Sequence, residues 1–142
     1  MAKKLTNTAH STAGNTPVAH GVGRRKTAVA RIWLRRGDGQ IRVNGQDYLS
    51  YFDTKFVADV AATPFRVCPA LNFNVEANVC GGGKIAQADA VKLGIARAFV
   101  EFDENAKPLL KKQGLMTVDA RKKERKKYGQ KAARAKFQFV KR

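Results

Sequence analysis

The sequence predicts an α+β fold: a two-layer domain of short strands and helices that ends in a long basic tail. Three observations lead there. Period-two alternation marks strands near Ala28 and Phe73, and a 3-4 spaced apolar stripe marks one long helix after Gly83. Beyond Lys111 the apolar periodicity gives way to cations. The 142 residues suit one compact domain and are too few for two comfortable ones.

Taken in order, residues 1–20 show no apolar periodicity and are expected to form a disordered extension. From Gly21 the pattern changes. Ala28, Ala30, Ile32 and Leu34 alternate with Thr27, Val29, Arg31, Trp33 and Arg35, which is a half-buried strand whose outer face carries Arg31, Trp33 and Arg35. Gly37-Asp38-Gly39 then reads as a turn into a second strand at Ile41 and Val43, so a hairpin is expected, ended by the Asn44-Gly45 turn.

Tyr48, Leu49, Tyr51 and Phe52 precede a short helix from about Thr54 to about Ala62, with Phe56, Val57, Val60 and Ala61 to pack and Pro64 as its stop. Phe73, Val75, Ala77 and Val79 alternate with Asn72, Asn74, Glu76 and Asn78 in the clearest strand of the chain. The longest helix follows, roughly Lys84 to Phe102. Its stripe of Ala88, Val91, Ile95, Phe99 and Phe102 suits a core-facing surface, and Gly94 permits close approach to a sheet. Pro108 opens another short helical piece that Gly114 ends. The expected organisation is therefore an extension over 1–20, a globular domain over 21–113 and a basic tail over 114–142.

Charge narrows the function. The net charge is +17, and residues 111–142 hold thirteen Lys and Arg against Asp119 and Glu124, a net +11 in less than a quarter of the chain. Such a segment buries too little apolar surface to offset its ordering entropy, so a polyanionic partner is expected to order it. Nucleic acid is the obvious one, because neutralised phosphates release counterions. The dense run Arg121 to Lys127 is followed by Tyr128, and Phe137 and Phe139 come near the end. Aromatics among cations allow stacking on unpaired bases. Gly23-Arg24-Arg25-Lys26-Thr27 is a second cationic cluster, where a glycine lets backbone approach phosphate.

Other chemistries find little. No apolar run approaches a membrane span, and no long basic amphipathic helix suggests a membrane surface. Cys68 and Cys80 lack metal-ligand spacing and are too few for a disulfide framework, so reduced buried thiols are expected. His10 and His20 fall within the leading extension, and the scattered acids suggest no catalytic arrangement. No enzyme and no cofactor are expected. In Gly81-Gly82-Gly83, Lys84 is followed by Ile85, so the magnesium-binding Ser or Thr of a P-loop is missing. That leaves two readings: a strand-to-helix turn offering free N–H groups to a phosphate, or a tight turn without a ligand. On charge alone, a DNA-compacting protein stays open as a rival to an RNA-binding one. The N-terminus has no signal-peptide core. It has no acid before Asp38, as in an organelle transit segment, yet residues 1–20 contain no Arg.

Several motifs in one order carry a resemblance. Gly23-Arg24-Arg25-Lys26-Thr27-Ala28-Val29-Ala30-Arg31 looks like the opening signature of the small-subunit ribosomal protein nine family. Val43-Asn44-Gly45 and Tyr51-Phe52 match its next segment. Gly81-Gly82-Gly83, Gln87-Ala88 and Leu93-Gly94-Ile95-Ala96-Arg97-Ala98 resemble its central signature. Leu109 to Gly114, Asp119 to Gly129 and the closing Lys141-Arg142 are similar to its C-terminal part, so the likeness runs from about Gly21 to Arg142. The chain departs from the family pattern at Ala86 and Asp89, where Gly and a small residue are usual. It departs again at Phe137-Gln138-Phe139-Val140, which replaces Pro-Gln-Phe-Ser.

The resemblance implies a small mixed sheet packed on two helices, a fold shared with some small-molecule kinases, and a structural role in the small ribosomal subunit. It implies binding to 16S-type rRNA of the subunit head, with a tail that reaches the peptidyl-tRNA site and contacts tRNA. The rRNA-binding residues so assigned are Arg24, Arg25, Lys26 and Arg31 in the domain. In the tail they are Arg121, Lys122, Lys123, Arg125, Lys126, Lys127, Tyr128, Lys131 and Arg134. Lys141 and Arg142 are assigned to tRNA. Neighbouring ribosomal proteins of the head are the expected protein partners, and the expected location is the ribosome of a bacterial cytoplasm or of an organelle.

Overall fold

The computed structural model describes residues 16–69 and 73–139, so the expected extension up to Asn15 and the tip residues Lys141 and Arg142 lie outside the described residues. A mixed five-stranded sheet is covered on one face by helices. Its strands are β1 (Ala19–Arg25), β2 (Ala28–Arg36), β3 (Ile41–Val43), β4 (Gln46–Asp47) and β5 (Phe73–Cys80), in the spatial order β1-β2-β5-β3-β4. Helices α1 (Tyr48–Tyr51) and α2 (Lys55–Val67) precede β5, and α3 (Lys84–Phe102) and α4 (Ala106–Lys112) follow it.

Strand β2 alternates as expected, with Ala28, Ala30, Ile32 and Leu34 buried and Arg31 and Trp33 on the other face. The expected hairpin between β2 and β3 does not form. β5 is inserted between them, antiparallel to β2 and parallel to β3. The hairpin partner of β2 is instead β1, joined by the two-residue turn Lys26-Thr27 with Lys26 at φ +53°. β1 also places the start of the sheet at Ala19, two residues before the boundary read from the sequence. Asn44-Gly45 does turn a hairpin, the short β3–β4 pair, with both residues at positive φ. Asn44 does more than turn. Its Oδ1 accepts from the Val79 N–H at 2.8 Å and its Nδ2 donates to the Val79 carbonyl at 3.1 Å, so one amide side chain stands in for a further rung between β3 and β5.

Helix α2 runs through Pro64 instead of stopping at it. The proline takes an N–H away from the Val60 carbonyl, and the Thr63 hydroxyl donates to that carbonyl at 2.9 Å in its place. Pro64 itself is buried with Ala58 and Ala61, whereas Phe56, expected to pack, is 75% exposed. Helix α3 spans the residues expected of it, and Ala88, Val91, Ile95 and Phe99 are buried while Phe102 is partly exposed. Each such large apolar side chain taken fully out of water contributes about 1.5–3 kcal/mol. The helix lies unusually close to β1. A Cβ at Gly23 would strike the Ala90 carbonyl, one at Gly21 the Gly94 carbonyl, and one at Gly94 would sit 2.6 Å from Ile32 Cγ1. Glycine on both sides lets strand and helix meet backbone to backbone.

Two side chains of α3 also tend the free edge of β1. Arg97 Nη1 donates to the Val22 carbonyl at 2.7 Å, and Glu101 Oε2 accepts the His20 N–H at 2.9 Å. Helix α4 closes with a left-handed Gly114 (φ +69°). The N–H of Leu115 bonds the Leu110 carbonyl, that of Gly114 bonds Lys111, and Leu115 itself is buried. Core packing thus continues two residues past the expected limit at 113. Among the described residues no polar or charged side chain is fully buried, and no helix is long and apolar enough to cross a membrane.

Candidate nucleic-acid interface

The cations predicted to matter fall into three settings. Arg24 lies on the uncovered sheet face with Arg31, and Lys26 occupies the β1–β2 turn; all three are exposed. Arg25 points the other way, toward the helices. Its guanidinium is largely covered and meets Asp119 at 3.1 Å and Asp89 of α3 at 3.6 Å. Nη1 also donates to the carbonyls of Asp119 (3.3 Å) and Arg121 (3.1 Å). Arg25 therefore fastens the root of the basic segment to the domain. Asp89 takes part in that fastening and also pairs with Lys92 at 2.8 Å.

From Thr117 to Lys127 the chain has neither helix nor strand. Asp119 accepts from the Arg121 backbone N–H at 3.0 Å and pairs with its guanidinium at 2.7 Å. These bonds, chiefly the one from the Arg121 side chain, hold the Asp119 carboxyl well below the usual carboxylate range. Glu124 is lowered too, by Lys127 at 2.9 Å and Arg134 at 2.8 Å. Glu124 thus clips the tail's own cations together, while Asp119 is shared between Arg121 of the tail and Arg25 of the domain. Lys122, Lys123, Lys126 and Lys131 make no ion pair among the described residues, and Arg125 bonds only the carbonyl of Lys126. Tyr128 is 94% exposed and Phe139 is 99% exposed, so the described residues offer these two aromatics almost no cover.

The glycine triplet has an internal explanation. Gly81 and Gly82 have φ of +72° and +67°, and a Cβ on either would press on the β1–β2 turn at Thr27 and Ala28. The polar groups around it are engaged as well. Lys84 Nζ donates to the Tyr51 carbonyl at 2.6 Å and sits over the Tyr51 ring, while the Gln87 side chain bridges Tyr51 and Gly81. This arrangement accounts for the glycines without any ligand. Cys68 is buried as expected, which pushes its thiol up, but Cys80 is exposed.

Sequence reasoning missed the partners of Arg25, because Asp89 and Asp119 lie 64 and 94 residues away from it along the chain. It also missed Arg42, whose place between the buried Ile41 and Val43 was a readable signal for the open face.

A domain with an apolar core that pins an irregular, cation-dense arm to its side defines a structural protein built to be incorporated into a polyanionic assembly. The comparisons with known proteins agree. A family model described as Ribosomal protein S9/S16 matches residues 23–142. The chain is 49% identical to small ribosomal subunit protein uS9 of Maridesulfovibrio salexigens over 124 residues, 87% of this chain and 95% of the relative. It is 50% identical to the uS9 of Thermotoga neapolitana over 127 residues (87% and 95%) and 49% identical to that of Thermus thermophilus over 124 residues (87% and 97%). The chain belongs to the ribosomal protein S9/S16 family. It is a structural, non-enzymatic protein of the small ribosomal subunit.

Proposed function

We propose that the chain binds the 16S-type rRNA of the subunit head through its basic segment and its turn cations, and that the end of its tail contacts peptidyl-site tRNA. The observation that carries this reading is the root of the tail. Arg25 fixes Asp119 and Arg121 against the domain, and beyond that point Lys122, Lys123, Lys126 and Lys131 have no ion-pair partner among the described residues, while Tyr128 and Phe139 stand almost fully exposed. Such an arm gains most of its ordering free energy from phosphate and base contacts. In this reading Lys122, Lys123, Arg125, Lys126, Lys127, Lys131 and Arg134 meet phosphates, Tyr128 stacks, and Arg24, Lys26 and Arg31 add contacts from the domain. Arg25 serves the same interface by holding the arm's direction. Lys141 and Arg142 are the tRNA contacts in this reading, and ribosomal proteins of the head are the neighbours. The uS9 relatives are bacterial, which supports a bacterial ribosome in the cytoplasm.

Sedimentation of a lysate in high magnesium is expected to carry the chain with small subunits; recovery with chromosomal DNA would overturn the reading. Deleting Lys141 and Arg142 is expected to speed loss of tRNA from the peptidyl site while subunits still assemble. Normal tRNA retention under competition would remove the role of the tip.

A further inference from the structure

We propose that the open face of the sheet is a separate RNA-contacting platform, on which an unpaired base stacks at Trp33 and His20 while Arg31 and Arg42 hold the flanking phosphates. The inference rests on the reading of the chain as an RNA-binding ribosomal protein and extends it to a surface that faces away from the tail's root. Register and parity assemble this surface. His20, Trp33, Glu76 and Arg42 are successive partners across β1, β2, β5 and β3, all on the side away from the helices. One step along, Val22, Arg31 and Asn78 form the next row, and Arg35 pairs with Asn74 on the other side of Trp33. The only tryptophan of the chain thus sits near the middle of an uncovered sheet, with its ring 5.5 Å from that of His20.

An antiparallel sheet commonly leaves one face to water, and a mixed polar surface would satisfy that role. On this face the cations Arg24, Arg31, Arg35 and Arg42 outnumber the acids Glu76 and Asp47, which flank Arg42 across the sheet. Both acids are engaged: Glu76 is gripped by Arg35 at 2.8 and 3.1 Å, and Asp47 accepts the Leu49 N–H at the start of α1. Arg24, Arg31 and Arg42 make no ion pair among the described residues. Across β5 from Trp33, a cavity of about 370 Å³ is lined by Arg35, Gln40, Arg42, Asn74 and Glu76, where the unpaired Arg42 guanidinium stands beside the Arg35–Glu76 pair. An aromatic pair with the unpaired guanidinium of Arg31 on the same strand and that of Arg42 across β5 suits a splayed nucleotide, because the base takes the ring face and the planar cations take phosphate oxygens. A protein partner would prefer a centre depleted of charge.

Because Trp33 is unique, its fluorescence reports on this face alone. The full-length chain is titrated with single-stranded oligoadenylate and with a blunt RNA duplex of equal phosphate number, each end-labelled for anisotropy. Both RNAs are expected to bind, but only the single strand quenches Trp33. Arg31→Ser and Arg42→Ser are each expected to weaken the quenching titration about tenfold, as is Trp33→Ser by anisotropy, while Trp33→Phe retains affinity. Binding of both RNAs with Trp33 emission unchanged overturns the platform and leaves the RNA-binding reading intact. No binding of either RNA overturns both. In assembled small subunits, a photo-cross-link from Trp33 to a nucleotide is the expected result; a cross-link to a neighbouring protein instead overturns the proposal.

Discussion

The domain and the basic arm are built on opposite balances of force, and they meet at Arg25. Between Ala19 and Leu115 the chain buries apolar side chains and places glycine wherever helix and strand backbones touch. From Thr117 onward, ion pairs, most of them local, take the place of a core, and the aromatics stand in solvent. The comparison teaches what each part requires of a partner. The domain holds itself together through its core, whereas the arm is held by its root and a few ion pairs and leaves the rest to be shaped by what it meets.

That contrast can be broken at graded points. Gly23→Val should be the most damaging change, since its Cβ meets the Ala90 carbonyl backbone; a loss of about 3 kcal/mol or more in urea unfolding is expected. A near-neutral result would mean that β1 and α3 can part without cost. Asn44→Ala removes both partners of the Val79 peptide and leaves a non-glycine at positive φ, so about 2 kcal/mol should be lost, measured by the same unfolding curve.

Arg25→Met should act differently. The unfolding midpoint moves less than for Asn44→Ala, while limited proteolysis near Asp119 and Arg121 accelerates several-fold, because the root is freed and the core is kept. Equal protease sensitivity in the two proteins would deny Arg25 its anchoring part.

The smallest effect is expected from pH. Asp119 and Glu124 both have folded-state values below their ordinary ones, so the stability that they give the arm is fully present above the unfolded carboxylate range near pH 4. It is lost only as pH falls further, toward the lowered folded values. Amide exchange around residues 119–124, corrected for its intrinsic pH dependence, should stay flat from pH 7 to about 5 and rise below about 4. A rise already at pH 6 would point to another group.

Much of this architecture was legible, and the failures have physical causes. β2, β5 and α3 carry full apolar periods, from alanine up to leucine, isoleucine and phenylalanine, so their residues declare them. β1 does not, because two of its core-facing positions are Gly21 and Gly23, where the backbone of α3 occupies the space that side chains would fill. The wrong hairpin followed from that loss. With β1 invisible, Gly37-Asp38-Gly39 looked like the tightest connection available to β2, while the true turn uses Lys26 at a positive φ usually left to glycine, asparagine or aspartate. Pro64 reads as a stop until the Thr63 hydroxyl is seen at the Val60 carbonyl. The basic arm was evident as composition. Its fastening was not, because the pairing of Arg25 with Asp89 and Asp119 exists only once the fold has brought them together.

The two groups that α3 offers to the border of β1 bear on the life of a copy made before it joins a small subunit. Strand borders with bare peptide groups are where identical chains add to one another and grow into insoluble ribbons. Here the Val22 oxygen and the His20 nitrogen are already taken by Arg97 and Glu101. A waiting molecule therefore offers its siblings a shortened seam, so surplus copies should persist as separate, assembly-ready units instead of fibres.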